Sequence, residues 1–135
     1  MIPGRESFAV GAKSRFDKLR DQISFFKGGD EILSSIEAVD TSGHTPGHAS
    51  LLIHDSAGSV LIARDALTHP VISIEHPQWH DPADMDREAA ALTRKRLLDR
   101  LATDKIGLAA THLPAPGFGW VESNQSVWRY IAADS

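Results

Sequence analysis

The sequence predicts an α/β (or α+β) fold formed as one unit. Three observations carry that expectation. Apolar residues recur at helical spacing in two separate stretches. They run continuously in short segments between and after those stretches. Gly, Pro, Asn, Asp and Ser punctuate the changes of pattern. The order is helix, several strands, helix, strands, and no repeat, low-complexity tract or linker divides the 135 residues.

Residues 12–27 read as an amphipathic helix, with Phe16, Leu19, Ile23 and Phe26 on one side and Gly28-Gly29 as the stop. A strand is expected at about 32–40, around Ile36 and Val39. Ala49 to Ile53 and Val60 to Ala63 form a hairpin-like pair joined by the polar connector 54–59. Residues 65–81 read as loop with an apolar patch at 71–74. Asp81-Pro82 offers an N-cap and a first-turn proline for a helix reaching about Ala102. Its apolar side would be Ala89, Leu92, Leu97, Leu98 and Leu101. The cations Arg94, Lys95, Arg96 and Arg100 read as a solvated face with snorkelling stems. Ile106 to Ala110 is a short strand, and 113–119 is a Pro/Gly loop. Trp120-Val121 and Val127 to Ile131 read as a closing hairpin around 123–126, though the second arm fits a short helix equally well.

Fourteen Lys and Arg against eighteen Asp and Glu leave a net charge of −4, so no basic excess draws the chain to nucleic acid or an anionic membrane. No apolar run is long enough to span a bilayer. The first six residues show no basic segment leading into an apolar core, so no signal peptide is visible and the cytoplasm is the default location. The absence of cysteine removes disulfides, thiolate metal sites and a cysteine nucleophile.

The chemistry concentrates in seven histidines. His44 and His48 sit four apart in a Gly/Pro loop before an apolar strand. Neutral imidazole there suits zinc and similar ions, and it suits hydrogen bonding to the loop equally well. Asp65 follows the apolar run 60–63, where a carboxylate needs a partner, and Arg64 or a metal would serve. His112 follows another apolar strand. Three such groups at strand ends are the arrangement open α/β sites use. His54 lies in a polar turn and reads as solvated. His69, His76, Trp79, His80, Phe118 and Trp120 are candidates for a pocket wall or for ordinary packing.

Gly43-His44-Thr45-Pro46-Gly47-His48, the two apolar strands ending in Asp65, and His112-Leu113-Pro114-Ala115-Pro116-Gly117 together resemble the metallo-β-lactamase-fold hydrolases. So do Asp65-Ala66-Leu67-Thr68-His69-Pro70 and His76-Pro77-Gln78-Trp79. The likeness is to the methyl-parathion-hydrolase-like and lactonase-like branch and extends over nearly the whole chain. The resemblance implies that His44 is a ligand of a first metal, that Asp65 bridges two metals and that His112 is a ligand of the second. It implies that His48 supports the site from beside it. The implied reaction is attack of a metal-bridged hydroxide on an ester, lactone or phosphotriester, with divalent ions, zinc foremost, as cofactor. Pocket residues would be His69, Trp79 and Phe118, and the partner a small-molecule substrate.

The family's His-x-His-x-Asp-His motif is absent, since no two histidines stand two apart and none follows an aspartate. Two protein ligands per ion then remain, below the three of a catalytic zinc site. Arg64 also replaces the glycine many members carry before the bridging aspartate, and it could pair with Asp65 or point away. Residues 1–135 are therefore expected to be a partial domain, the C-terminal β-α half of an αββα sandwich. Two metals belong to a complete domain, and this chain would hold them incompletely. Association with a missing N-terminal half, or homodimerisation, would cover its open face. The alternatives are a truncated, non-catalytic half-domain and a thioester hydrolase of the same superfamily.

Overall fold

The computed structural model describes residues 6–125 and 127–133. Ser126 of the expected closing turn and the first five residues, on which the signal-peptide reading partly rested, lie outside them. An N-terminal helix α1 (Glu6–Leu19) is followed by strands β1 (Glu31–Leu33), β2 (Ile36–Asp40), β3 (Ala49–Asp55) and β4 (Gly58–Ile62). Helix α2 (Arg87–Thr103) then leads to β5 (Gly107–Ala109), β6 (Phe118–Asn124) and β7 (Val127–Ala132). The seven strands form one sheet in sequence order. Every neighbouring pair is antiparallel except β4 and β5, which are parallel. A parallel pair needs a crossover, and residues 63–106 with α2 at their centre supply it. The expected α/β class is the one found.

The sheet buries one face. Leu52, Leu61, Leu108, Val121 and Trp128 come from the strands and meet Leu97, Leu98 and Leu101 of α2. Strand alternation sends their neighbours to the opposite face. There Leu51 pairs with Ile62, Ile53 with Val60, and Trp120 with Ile131. These side chains are half-buried or exposed. Trp120 stands edge-on to Phe118, their ring centroids 5.4 Å apart. No helix among the described residues is long and apolar enough to cross a membrane.

Four details depart from the sequence reading. The first helix ends at Leu19, with a 3₁₀ turn at Arg20–Gln22, well short of residue 27. The chain beyond is drawn toward β2, where Gly29 N–H donates to Ala38 O and Ala38 N–H donates to Asp30 O. The apolar spacing of Phe16, Leu19 and Phe26 finds no covering surface, and all three are exposed. The second helix starts at Arg87, capped by the Asp86 carboxylate on Ala89 N–H, while Asp81 closes its own turn on Ala83 N–H. Its buried stripe is Ala90, Ala91, Thr93, Arg94, Leu97, Leu98 and Leu101, with Leu92 exposed and Arg94 buried, against expectation. The expected loop 65–81 contains a π-helical turn at Pro70–Glu75. Of the two readings of the closing arm, the hairpin is the one found, with 127–132 a strand paired to β6.

Candidate metal centre

The topology gathers the predicted residues at one end of the sheet. β4 and β5 are parallel and in register, with Ile62 beside Ala109. Asp65 and His112 each lie three residues beyond that pair, so the two loops leave side by side. His112 Nε2 stands 3.0 Å from Asp65 Oδ1. β3 runs antiparallel to β4, so the loop that precedes β3 opens at the same end. It carries His44 and His48, whose rings meet edge to face at 5.9 Å. The charges of His44, Asp65 and Arg64 all act on the His48 imidazole.

His48 is tied by a hydroxyl chain whose polarity can be worked out. Ser50 O–H donates to Ala63 O, a group that can only accept. Ser50 Oγ can then only accept from Thr41, 3.0 Å away. Thr41 Oγ1 has spent its proton, so His48 Nδ1, at 2.8 Å, must be the donor. The ring is thereby held as the Nδ1–H tautomer. Its Nε2 is buried and has no hydrogen-bond partner among the described residues. Burial, and then the neighbouring His44, push the imidazole below its ordinary pKa. A neutral ring with a free, buried lone pair therefore stands beside Asp65 and His44.

His44 is held from behind. Its Nδ1 lies 3.4 Å from Asp84 Oδ1, and the other Asp84 oxygen accepts from Arg94 Nη1 at 2.7 Å. The Asp84 and Arg94 side chains are both almost fully buried. Arg94 also donates to Pro77 O and Trp79 O. Sequence reasoning missed Asp84, Arg94, Thr41 and Ser50. Arg94 had a legible signal, because it falls four residues after Ala90 and four before Leu98 on the buried stripe.

A cleft of about 640 Å³ opens beside Asp65, walled by Ile62, Arg64, Ala109, Leu113 and Pro116. His69, Trp79 and Phe118 do not line it. His69 Nδ1 caps the π-helical turn by accepting from Val71 N–H and Ile72 N–H. Trp79 stacks on His76 at 4.1 Å. Phe118 packs on Trp120. His80 pairs with the exposed Glu88, and His54 touches Glu37 and Ser59 at the surface. Arg64 adopts a left-handed backbone, φ 53°, and makes no ion pair with Asp65 among the described residues.

The donor set suits a borderline divalent ion in kind, since it offers imidazoles, a carboxylate and one buried ring nitrogen without a partner among the described residues. It is short in number. Among the described residues no three His, Asp or Glu side chains are grouped closely enough to hold a metal ion.

No protein-family description and no curated protein matches the chain in sequence. Solved structures do match. A hydrolase of the beta lactamase superfamily, AbOPH, superposes with a TM-score of 0.84 at 23% identity, over 100% of this chain and 48% of its own. AidC, a dizinc quorum-quenching lactonase in complex with a product, superposes with a TM-score of 0.85 at 25% identity, over 98% of this chain and 46% of its own. A B. thuringiensis AiiA variant with N-decanoyl-L-homoserine bound at its active site matches 67% of this chain at 27% identity, with a TM-score of 0.56. The chain spans just under half the length of the first two.

Proposed function

From the premise that this chain carries the metallo-β-lactamase fold, over about half the length of those solved relatives, we propose that it forms part of a metal-dependent hydrolase of small esters, lactones or phosphotriesters. The observation that carries the reading is the convergence of Asp65 and His112 at 3.0 Å, at the sheet end that also presents His44 and His48. His44, Asp65 and His112 are the proposed ligands. Zinc is the proposed ion, because imidazole and carboxylate together suit it.

A divalent ion held there acidifies water and polarises the substrate's carbonyl or phosphoryl oxygen. The chain's own residues do the rest. Asp65 Oδ1 and His112 Nε2 face each other at 3.0 Å, so neighbouring strand ends bring two donor atoms together. His48 offers its buried Nε2 as an acceptor beside them. The cleft next to Asp65 presents apolar walls to an acyl or alkyl group, with Arg64 at its edge. The remaining ligands are proposed to come from a segment bearing His-x-His-x-Asp-His, supplied as the N-terminal half of the sandwich.

Zinc binding by the full chain tests the ligand assignment. His44→Ala, Asp65→Ala and His112→Ala should each lower bound zinc, and His54→Ala should leave it unchanged. With an N-terminal half supplied, the same three variants should lose hydrolysis by orders of magnitude. Full activity in His112→Ala would overturn the assignment. A chain that takes up no zinc alone or complemented is a non-catalytic half-domain, and turnover confined to thioesters selects the thioester hydrolase.

A further inference from the structure

Asp84 lies forty residues from His44 in sequence, yet its carboxylate reaches Nδ1 of the His44 imidazole. We propose that Asp84, held by Arg94, is the positioning residue of His44. It fixes the ring as the Nδ1–H tautomer, so that Nε2 carries the lone pair presented to a metal. The proposal rests on His44 being a ligand and concerns what sets its proton and its orientation.

The geometry assigns each atom one task. Arg94 can only donate, and its Nη1 lies 2.7 Å from Asp84 Oδ2. That oxygen is therefore occupied by a charged donor. The other oxygen, Oδ1, is left to accept from His44 Nδ1 at 3.4 Å. A carboxylate has no proton to give, so the imidazole must be the donor and must place its hydrogen on Nδ1. Water has little access to the clamp, since the Asp84 and Arg94 side chains are 2% and 3% exposed.

The clamp is itself anchored. Arg94 Nε donates to Pro77 O at 3.1 Å and Nη2 donates to Trp79 O at 2.9 Å, which ties the guanidinium to the 76–79 turn. The loop carrying His44 is tied to the segment before α2 by Met85 N–H on His44 O and Asp86 N–H on Gly43 O. Helix, turn and loop therefore fix the carboxylate and the ring relative to one another. A hydrogen bond from a ligand's second nitrogen to a carboxylate both orients the ring and makes it more basic. His44 and His48 are thus both Nδ1–H tautomers, by two independent arrangements, with their rings 5.9 Å apart at the same end of the sheet.

The isosteric change Asp84→Asn gives a specific expectation. The amide oxygen is the only atom that can accept from Arg94, so its NH₂ turns toward His44. That group donates to Nδ1, and the ring's proton moves to Nε2. Long-range ¹H–¹⁵N correlation on the metal-free, full-length chain, at a pH where the ring is neutral, reads the tautomer directly. The unaltered chain should show His44 as Nδ1–H, and Asp84→Asn should show Nε2–H with the remaining amide spectrum little changed. Zinc affinity should fall about 10–100-fold in Asp84→Asn.

An Nε2–H tautomer in the unaltered chain overturns the proposal. So does a folded Asp84→Asn variant that keeps the Nδ1–H form, or one that binds zinc as tightly as the unaltered chain. The first measurement needs no variant, so misfolding of Asp84→Asn does not shelter the idea. If the unaltered chain takes up no zinc, the hydrolase reading fails, and the tautomer measurement still decides the role of Asp84.

Discussion

The hydroxyl of Thr41 serves two buried neighbours at once, accepting from His48 Nδ1 and donating to Ser50 Oγ. Thr41→Val keeps the shape and removes both bonds. A buried ring nitrogen and a serine hydroxyl then lose their partner, which should cost about 1–3 kcal/mol in denaturant unfolding. The same ring gives a pH expectation. Burial holds His48 below its ordinary value of 6.5, so below that pH the unfolded chain binds the proton more readily than the folded one. Stability is level above about pH 6.5 and falls as the pH drops toward the lower, folded value. Denaturant midpoints measured from about pH 7.5 down to about pH 5.5 should show the fall, and His48→Gln should flatten it. At this scale the sequence made His44, Asp65 and His112 conspicuous, because each is a polar group at the end of an apolar strand. Asp84 was hidden, because its partners lie ten and forty residues away and its near neighbours Asp81 and Asp86 look the same as N-caps.

Helix α2 is held to the sheet end by contacts that periodicity does not express. Gly43 sits at φ 134° against the Ala90 backbone, and a Cβ there would run into that backbone. Gly43→Ala combines a strained backbone with a steric clash, and should destabilise the chain by about 2–4 kcal/mol, visible as a lowered thermal midpoint. Arg94 holds the same helix through its buried pair with Asp84. Arg94→Met leaves that carboxylate buried and unpaired, at a cost of about 3–5 kcal/mol. The double variant Arg94→Met with Asp84→Leu should recover most of the loss, because two apolar groups tolerate the site that one bare charge does not. Recovery absent in the double variant would place the cost in packing instead of charge. Both helices were legible as elements, and the buried leucines 97, 98 and 101 named the packed face of the second. Their ends were not legible. The first helix stops at Leu19, short of residue 27, and the chain beyond reaches β2 through the backbone of Gly29 and Asp30, while Asp81 resembles a helix cap although Asp86 is the one that reaches an α2 amide.

The whole molecule is a sheet with one covered face. α2 and the π-helical turn lie over Leu52, Leu61, Leu108 and Trp128, while Leu51, Ile53, Val60, Ile62, Phe118, Trp120 and Ile131 form a continuous apolar strip on the other side. A strip of that composition is stabilised by about 25 cal/mol for each Å² withdrawn from water, and surfaces of this kind mark contact sites. The sequence showed both the apolar runs at 49–53 and 60–63 that contribute to the strip and a resemblance in which a second half would cover an open face. It held no residues from which the identity of that cover could be worked out. The two open outcomes, a second copy or the complementary half, separate in one experiment. Sedimentation of the chain alone should show concentration-dependent association. Trp120→Lys combined with Ile53→Lys should abolish it while leaving the fold intact, because neither side chain belongs to the buried cluster. Adding the complementary half should replace self-association by a one-to-one complex, and the lysine variant should weaken that complex too. A chain that stays monomeric at high concentration and ignores the other half would remove the case for this face as a docking surface. The ligands proposed to complete the site at the sheet end would then have to come across some other boundary.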